Sequence, residues 1–230
     1  MKTVGLIGGM SWESTASYYR IINQGIKARL GGLHSAKIVL NSVDFAEVEA
    51  MQQAGDWQLS AELLKSSARS LEAAGAQCIM ICTNTMHKVA DEVAATVSLP
   101  LIHVADTTAR VLIAKGVTKV ALLGTRFTMS EPFYKTRLEQ RGVDVVVPTD
   151  DEQTVIHDII YQQLCLGDIR EDSKQQYLDI INSLQHQGAQ SVVLGCTEIG
   201  LLISQQDTDI PLFDTAEIHA NAAVEFALSD

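Results

Sequence analysis

Two segments of the chain, residues 75–85 and 188–198, carry residues suited to acid–base chemistry at matching positions. Each segment begins with Gly-Ala-Gln, continues as an apolar run and ends in small polar residues. This pattern predicts a buried parallel strand that ends in a polar loop opening a helix. When the segments are aligned on Gly-Ala-Gln, Thr83 lies opposite Cys196. The two loop ends are therefore predicted to form an active site.

Cys196 is the stronger candidate of this pair. A cysteine at the start of a helix gains from the helix dipole and from free backbone N–H groups, so we expect a raised thiolate fraction. Its neighbours Thr197 and Glu198 are not typical of a hydrophobic core. By contrast, Cys78 and Cys165 are predicted to be small buried side chains. The four cysteines lack the spacing of a disulfide framework or a zinc site, so we expect reduced thiols.

The partner of Cys196 is left open between Thr83 and Cys82. Side chains alternate along a strand, so these two neighbours cannot point in the same direction. Alignment of the two segments favours Thr83. A bulge at the strand end could still present Cys82 instead.

Short polar side chains at the predicted strand ends fit a ligand that carries a carboxylate. They precede or begin helices, where backbone N–H groups bind anions well. The same residue types also cap helices, and a cap leaves further N–H groups available. The candidates are Ser11, Asn84, Thr85, Thr125, Thr128 and Thr197.

Strands alternate with helices along the whole chain, which predicts an α/β fold with parallel sheets flanked by helices. The first half has predicted strands at residues 2–8, 37–43, 78–82 and 99–104, and a predicted helix at residues 86–97. Echoes of its motifs recur in the same order in the second half, which indicates an internal duplication. We therefore predict two pseudo-symmetric domains, residues 1–104 with 212–230 and residues 105–211. The carboxyl ends of their strands are predicted to enclose the active-site cleft.

Charge and hydropathy exclude several classes of protein. The net charge of −11 argues against binding to nucleic acid or to anionic membrane surfaces. No apolar run approaches the roughly 18–20 residues of a membrane span, and no signal peptide is evident, so a cytoplasmic location is expected. The histidines show no metal-ligand spacing, and no metal is expected. His87 is expected on a helix surface, although it could border the cleft.

These residues resemble the cofactor-independent aspartate/glutamate racemase family over the whole chain. The resemblance rests on residues 8–11 (Gly-Gly-Met-Ser), 83–87 (Thr-Asn-Thr-Met-His) and 195–198 (Gly-Cys-Thr-Glu). The Cys-Thr-Glu sequence is similar to the aspartate-racemase branch. The family implies two pseudo-symmetric domains, often in a homodimer, and no pyridoxal phosphate or other cofactor. It also implies an amino-acid substrate whose α-proton is removed on one face and replaced on the other.

The resemblance implies a role for individual residues. Cys196 would be one acid/base, and Asn84, Thr85 and Thr197 would hold the α-amino and α-carboxylate groups. The first loop would be closed by Met10 and Ser11, and Glu198 would belong to the substrate site.

The substrate's side chain would be held by residues in two further loops. Arg170 is the candidate for binding a side-chain carboxylate in bidentate fashion, with a solvated surface arginine as the alternative. Family members can carry an arginine after the second strand, where this chain offers only Gln52 and Gln53. Strict specificity for aspartate is therefore not expected.

Thr83 is the main departure from the family pattern, which usually has cysteine at this position. A threonine hydroxyl can donate or relay a proton, but it is too weakly acidic to act as a free base near neutral pH. We therefore expect Cys196 to serve one enantiomer and Thr83, with water, to serve the other. Alternative functions are a one-cysteine decarboxylase, a maleate isomerase, a hydantoin racemase or a non-catalytic amino-acid-binding protein.

Overall fold

The computed structural model describes residues 1–230, which divide into two compact units. The first comprises Met1–Val104 with Ala216–Asp230, and the second comprises Ala105–Thr215. Each unit contains a parallel sheet flanked by helices, which confirms the predicted fold class. None of the helices combines the length and apolar character that a membrane span requires.

The first unit is built on a three-stranded sheet in the order β2-β1-β3. Its strands are β1 (Val4–Gly8), β2 (Ile38–Ser42) and β3 (Cys78–Ile81). Its first four helices are α1 (Trp12–Leu30), α2 (Phe45–Ala54), α3 (Trp57–Ala73) and α4 (Ala90–Ala94). The central strand β1 is buried along its whole length, as an apolar run between two neighbours should be.

The second unit has a four-stranded parallel sheet in the order β5-β4-β6-β7. Its strands are β4 (Lys119–Gly124), β5 (Asp144–Val146), β6 (Ser191–Gly195) and β7 (Leu212–Asp214). Its helices are α5 (Val104–Ala114), α6 (Arg126–Ser130), α7 (Pro132–Glu139), α8 (Asp150–Gln162), α9 (Glu171–His186) and α10 (Ile199–Leu202). The last helix, α11 (Thr215–Leu228), returns to the first sheet, where its alanines pack with Tyr18, Ile22 and Ile26 of α1.

Strand β7 extends the second unit beyond the boundary predicted at residue 211. It pairs in parallel with β6, with Val193 beside Phe213, and so belongs to the second sheet. The second unit accordingly ends at Thr215.

The strand predicted at residues 99–104 is reduced to a single bridge, between Ile79 and Leu101. Two hydrogen bonds hold it, from the Ile79 N–H to the Pro100 carbonyl and from the Ile102 N–H to the Ile79 carbonyl. Proline lacks a backbone donor and α5 already begins at Val104, so no longer ladder can form. The bridge occupies the place in the first sheet that β7 fills in the second, so the strand order repeats between the units.

The helix predicted at residues 86–97 is also shorter than expected. The chain forms a 3₁₀ segment at Thr85–Val89 and then only the five residues of α4. The loop after β3 is therefore followed by a tight turn, with little of the macrodipole of a long helix.

Candidate functional site

The strand alternation predicted for β3 is confirmed. Ile79 and Ile81 pack in the cluster with α3, whereas Cys78, Met80 and Cys82 pack in the cluster with α1 and α11. Cys82 has no exposed surface, and burial raises the pKa of its thiol. Its backbone N–H continues the ladder by donating to the Ile7 carbonyl, so the strand end carries no bulge that would expose it.

Thr83 is the first residue after β3 whose side chain is partly exposed. Asn84 caps the following 3₁₀ segment, and its carbonyl accepts the N–H of His87 at 3.0 Å. Both Asn84 and Thr85 are buried. The structure thus presents Thr83 rather than Cys82 at the end of the strand, as the alignment of the two segments favours.

His87 was expected on a helix surface, and this expectation is wrong. The side chain is only 3% exposed, because the short 3₁₀ segment turns it into the unit beside His103 and His219. Its Nδ1 lies 2.7 Å from the Thr83 carbonyl oxygen. The sequence signal for this contact is the position of His87 four residues after Thr83, a spacing that one helical turn brings together.

The first loop places Ser11 and Met10 at the N-terminus of α1. The Ser11 hydroxyl accepts the N–H of Ser14 at 3.2 Å and caps the helix, while Met10 packs in the core. Ser14 in turn donates to the Cys82 carbonyl at 3.1 Å, which ties this loop to the end of β3. The cap is one of the two roles expected of Ser11.

Gln52 lies on α2 and is buried. Its side-chain amide contacts the Met86 sulfur at 3.1 Å. It therefore packs against the segment after Thr83, and its predicted contact with substrate stays a prediction.

Cys196 follows β6 and is partly exposed. Its thiol donates to Oε2 of Glu198 at 3.0 Å, and the Thr197 hydroxyl donates to the same oxygen at 2.9 Å. Glu198 was predicted as a substrate-binding residue. Its carboxylate lies against the thiol, and its contact with substrate stays a prediction.

The expectation that Cys196 has a raised thiolate fraction is wrong for the protein without substrate. Burial and the negative charge of Glu198, which also accepts the thiol proton, raise the pKa of Cys196 well above that of a free cysteine. The helix that follows, α10, has only four residues, so it offers little dipole to oppose these effects. The resting thiol is therefore protonated near neutral pH.

Thr125 and Thr128 lie side by side at the end of β4. The Thr125 hydroxyl caps α6 by accepting the N–H of Thr128, and the two hydroxyls are 3.3 Å apart. Thr128 is fully buried, and its methyl group lies against Gly124 and Gly195. This threonine shapes the ends of β4 and β6, while Thr125 lies nearer the surface.

Arg170 lies immediately before α9 and is well exposed. Its guanidinium donates to Oδ2 of Asp168, at 2.7 Å from Nε and 2.5 Å from Nη2. This pairing raises the pKa of Arg170 further. Because an exposed ion pair contributes little, a ligand carboxylate could replace Asp168 at small cost.

Cys78 and Cys165, both predicted to be small buried side chains, differ in their exposure. Cys78 is fully buried, as predicted, and burial raises its pKa to about 12. Cys165 packs on the edge of the second core but is only partly buried, because it lies in a short 3₁₀ turn after α8. All four cysteines are free thiols.

Comparison with known proteins gives consistent results. A model of the family described as Asp/Glu/hydantoin racemases matches residues 7–223. The fold is similar to that of a Yersinia pestis protein named as a candidate Asp/Glu racemase, with 54% identity, 100% of both chains covered and a TM-score of 0.94. An aspartate racemase homologue from Pyrococcus horikoshii OT3 is 35% identical, with 100% of both chains covered and a TM-score of 0.86.

A curated relative is more distant. The broad-specificity amino-acid racemase RacX of Bacillus subtilis (strain 168) is 23% identical over 163 residues, which cover 69% of this chain and 68% of RacX. Together with the solved structures, this similarity supports racemase function at the level of the family.

Proposed function

Because the chain belongs to the Asp/Glu/hydantoin racemase family, we propose that it inverts the α-carbon of aspartate, glutamate or a broader set of amino acids without a cofactor. The observation that carries the proposal is the hydrogen bond from the Cys196 thiol to the Glu198 carboxylate at the end of β6. A thiol that can lose its proton to an adjacent carboxylate is equipped to remove and return a carbon-bound proton.

The raised pKa of Cys196 leaves the thiol protonated at rest, so a proton acceptor is needed before it can act as a base. Glu198 is the candidate for that acceptor. The carboxylate would accept the thiol proton as substrate binds, and the thiolate would then remove the α-proton. Binding of the substrate's ammonium group close to the thiol would favour the same transfer, since an adjacent positive charge stabilises a thiolate. In the return step the protonated thiol would deliver its proton to the carbanion.

Thr83 would serve the opposite face of the α-carbon. Thr83 is a partly exposed residue at the equivalent strand end, and a hydroxyl can relay a proton to or from water. The burial of Cys82 in the core favours Thr83 for this task. The two directions must keep equal kcat/KM, since the equilibrium constant of a racemisation is one. The asymmetry between a thiol and a hydroxyl would therefore appear in separate kcat and KM values.

The remaining predicted residues would bind the substrate. Asn84, Thr85 and Thr197 would hold the α-amino and α-carboxylate groups. Arg170 would exchange its Asp168 partner for a side-chain carboxylate, and this bidentate contact would favour acidic amino acids. The similarity to RacX, named for broad specificity, supports a wider substrate range.

Incubation of the purified protein with single L-amino acids, followed by chiral chromatography, tests the proposal directly. We expect the D-enantiomer to appear from aspartate, glutamate or a related amino acid, and Cys196→Ala to abolish its formation. Cys82→Ala is the matched control and should still racemise. Release of carbon dioxide without inversion would instead indicate a decarboxylase, and binding without either product would indicate an amino-acid sensor. Racemisation by Cys196→Ala at the normal rate would refute the proposal.

A maleate isomerase or hydantoin racemase is less well supported. Both alternatives need a second reactive thiol in the first half of the chain, and Cys82 is the only cysteine near that strand end. Its complete burial argues against that role. The homodimeric state implied by the family remains a prediction, which analytical ultracentrifugation can check.

A further inference from the structure

The buried imidazole of His87 is hydrogen-bonded to the backbone carbonyl of Thr83. We propose that His87 is a positioning residue for the Thr83 side of the reaction, and that it acts as a neutral ring with its proton on Nδ1. This inference rests on the proposed function. Both ring nitrogens of His87 are engaged by backbone groups, Nδ1 with the Thr83 carbonyl and Nε2 with the Val104 N–H, so we assign the ring a positioning role rather than a contact with substrate.

The hydrogen-bond partners of His87 determine its tautomer. The backbone N–H of Val104 points at Nε2 at 3.2 Å, and an N–H can only donate, so Nε2 carries no proton. On the other side, Nδ1 lies 2.7 Å from the Thr83 carbonyl, which can only accept, so Nδ1 carries the proton. The ring thus joins the Thr83 loop to the start of α5, and a second proton on Nε2 would break this connection.

A second histidine holds the segment to which His87 is attached. His219 of α11 donates from Nε2 to the Ile102 carbonyl at 2.6 Å, and its Nδ1 accepts the Tyr18 hydroxyl at 2.9 Å. Burial lowers the pKa of His219 to about 4, so this ring is also neutral near neutral pH. His103 fills the remaining space, with its ring centroid 4.5 Å from that of His87. The Thr83 carbonyl is therefore connected through two imidazoles to helices α11 and α1.

Precise placement matters more for Thr83 than for Cys196. A hydroxyl is a poor base, so its contribution depends on being aligned with a relay water and the α-carbon. A displacement of about 1 Å can lower the rate about 10²-fold. Loss of the bond between His87 and the Thr83 carbonyl should therefore slow the Thr83 face selectively.

Two variants divide the functions of the ring. His87→Asn keeps a donor near the position of Nδ1 but loses the acceptor for Val104, whereas His87→Gln keeps an acceptor near Nε2 but loses the donor to Thr83. His186 provides a matched control, since its Nδ1 makes the same bond to a carbonyl four residues earlier, at 2.7 Å, on an exposed part of α9. His186→Gln should leave all rates unchanged.

Each face can be assayed alone with the two enantiomers of a β-chloro amino acid. Removal of the α-proton is followed by loss of chloride with the C–Cl electron pair, so the assay needs no reprotonation of the α-carbon. The Thr83-face enantiomer is the one whose elimination Thr83→Val abolishes. We expect His87→Gln to slow its elimination about 10²-fold, His87→Asn to retain most of it, and neither to affect the other enantiomer. Equal loss for both enantiomers, or no loss in His87→Gln, would overturn the proposal.

A spectroscopic measurement keeps the inference testable apart from activity. The ¹⁵N resonances of the His87 ring in the wild-type protein should show a protonated Nδ1 and an unprotonated Nε2 at pH 7. A protonated Nε2 would contradict the proposed hydrogen bonds of His87 to Thr83 and Val104, even in a fully active racemase. If the wild-type protein racemised no amino acid, the proposed function would fail, while these resonances would still decide the state of His87.

Discussion

Replacement of Glu198 with glutamine separates two opposing effects of this carboxylate on Cys196. Once the thiol ionises, the two groups carry like charges at a contact distance of 3.0 Å. Two unit charges at that distance repel by about 5 kcal/mol if the effective dielectric constant is about 20. This figure is an upper value because Cys196 is partly exposed. Glutamine removes the charge while keeping the length of the side chain and an oxygen that can accept the thiol proton's hydrogen bond.

The two effects predict opposite changes in Glu198→Gln. Loss of the repulsion should lower the pKa of Cys196, so its thiolate population at neutral pH should rise. Loss of the proton acceptor should nevertheless lower kcat by about 10²–10⁴-fold, the usual contribution of a general base. The variant is therefore expected to be more reactive toward alkylation and less active as an enzyme.

Both quantities can be measured on the same sample. The rate of iodoacetamide modification of Cys196 as a function of pH, followed by peptide mass spectrometry, reports the thiolate fraction. Chiral chromatography reports turnover. Glu139→Gln, on the exposed end of α7, is a control for the change in net charge and should alter neither. If Glu198→Gln racemised as fast as the wild type or faster, Glu198 would merely suppress ionisation and would not relay a proton.

Three further predictions concern stability and specificity. Gly195→Ala should lower the free energy of unfolding, measured in urea, by about 1–3 kcal/mol, because a β-carbon there would lie 2.8 Å from a carbonyl oxygen of β4. Gly200→Ala is the control and should be tolerated, since its β-carbon would make only an ordinary contact at 3.4 Å. Burial lowers the pKa of His219 from 6.5 in the unfolded chain to about 4 in the folded protein. Its contribution to the free energy of unfolding is therefore fully present above pH 6.5, and about 3 kcal/mol is lost as the pH falls to 4. His219→Gln should flatten the plot of unfolding free energy against pH over this range. Arg170→Gln should raise KM for aspartate and glutamate by about 10-fold or more and leave KM for uncharged amino acids unchanged.

The sheets and their duplication could be predicted from the sequence for simple physical reasons. Buried parallel strands require continuous apolar runs, and such runs are easily recognised at β1, β3, β4 and β6. The alternation of side chains likewise placed Cys82 and Thr83 on different sides of the strand. What it could not decide was whether the strand end contains a bulge, since that depends on the hydrogen bond from Cys82 to Ile7.

The properties of the individual site residues were harder to predict. The ionisation of Cys196 depends on Glu198 folding back by two residues onto the sulfur, which the presence of a following helix did not reveal. The burial of His87 depends on Val104 and His219, which are distant in sequence and meet it only in the folded unit. Periodicity indicates the face on which a residue lies, but not the partners that reach that face from elsewhere in the chain.

We propose above all that Cys196 and Thr83 act on opposite faces of the same α-carbon. Chloride elimination from each enantiomer of a β-chloro amino acid, measured for the wild type, Thr83→Val and Cys196→Ala, tests it most directly. We predict elimination from both enantiomers by the wild type and from a single enantiomer by Thr83→Val, with loss of that same enantiomer's elimination in Cys196→Ala. Elimination from both enantiomers by Cys196→Ala at wild-type rates would contradict the assignment.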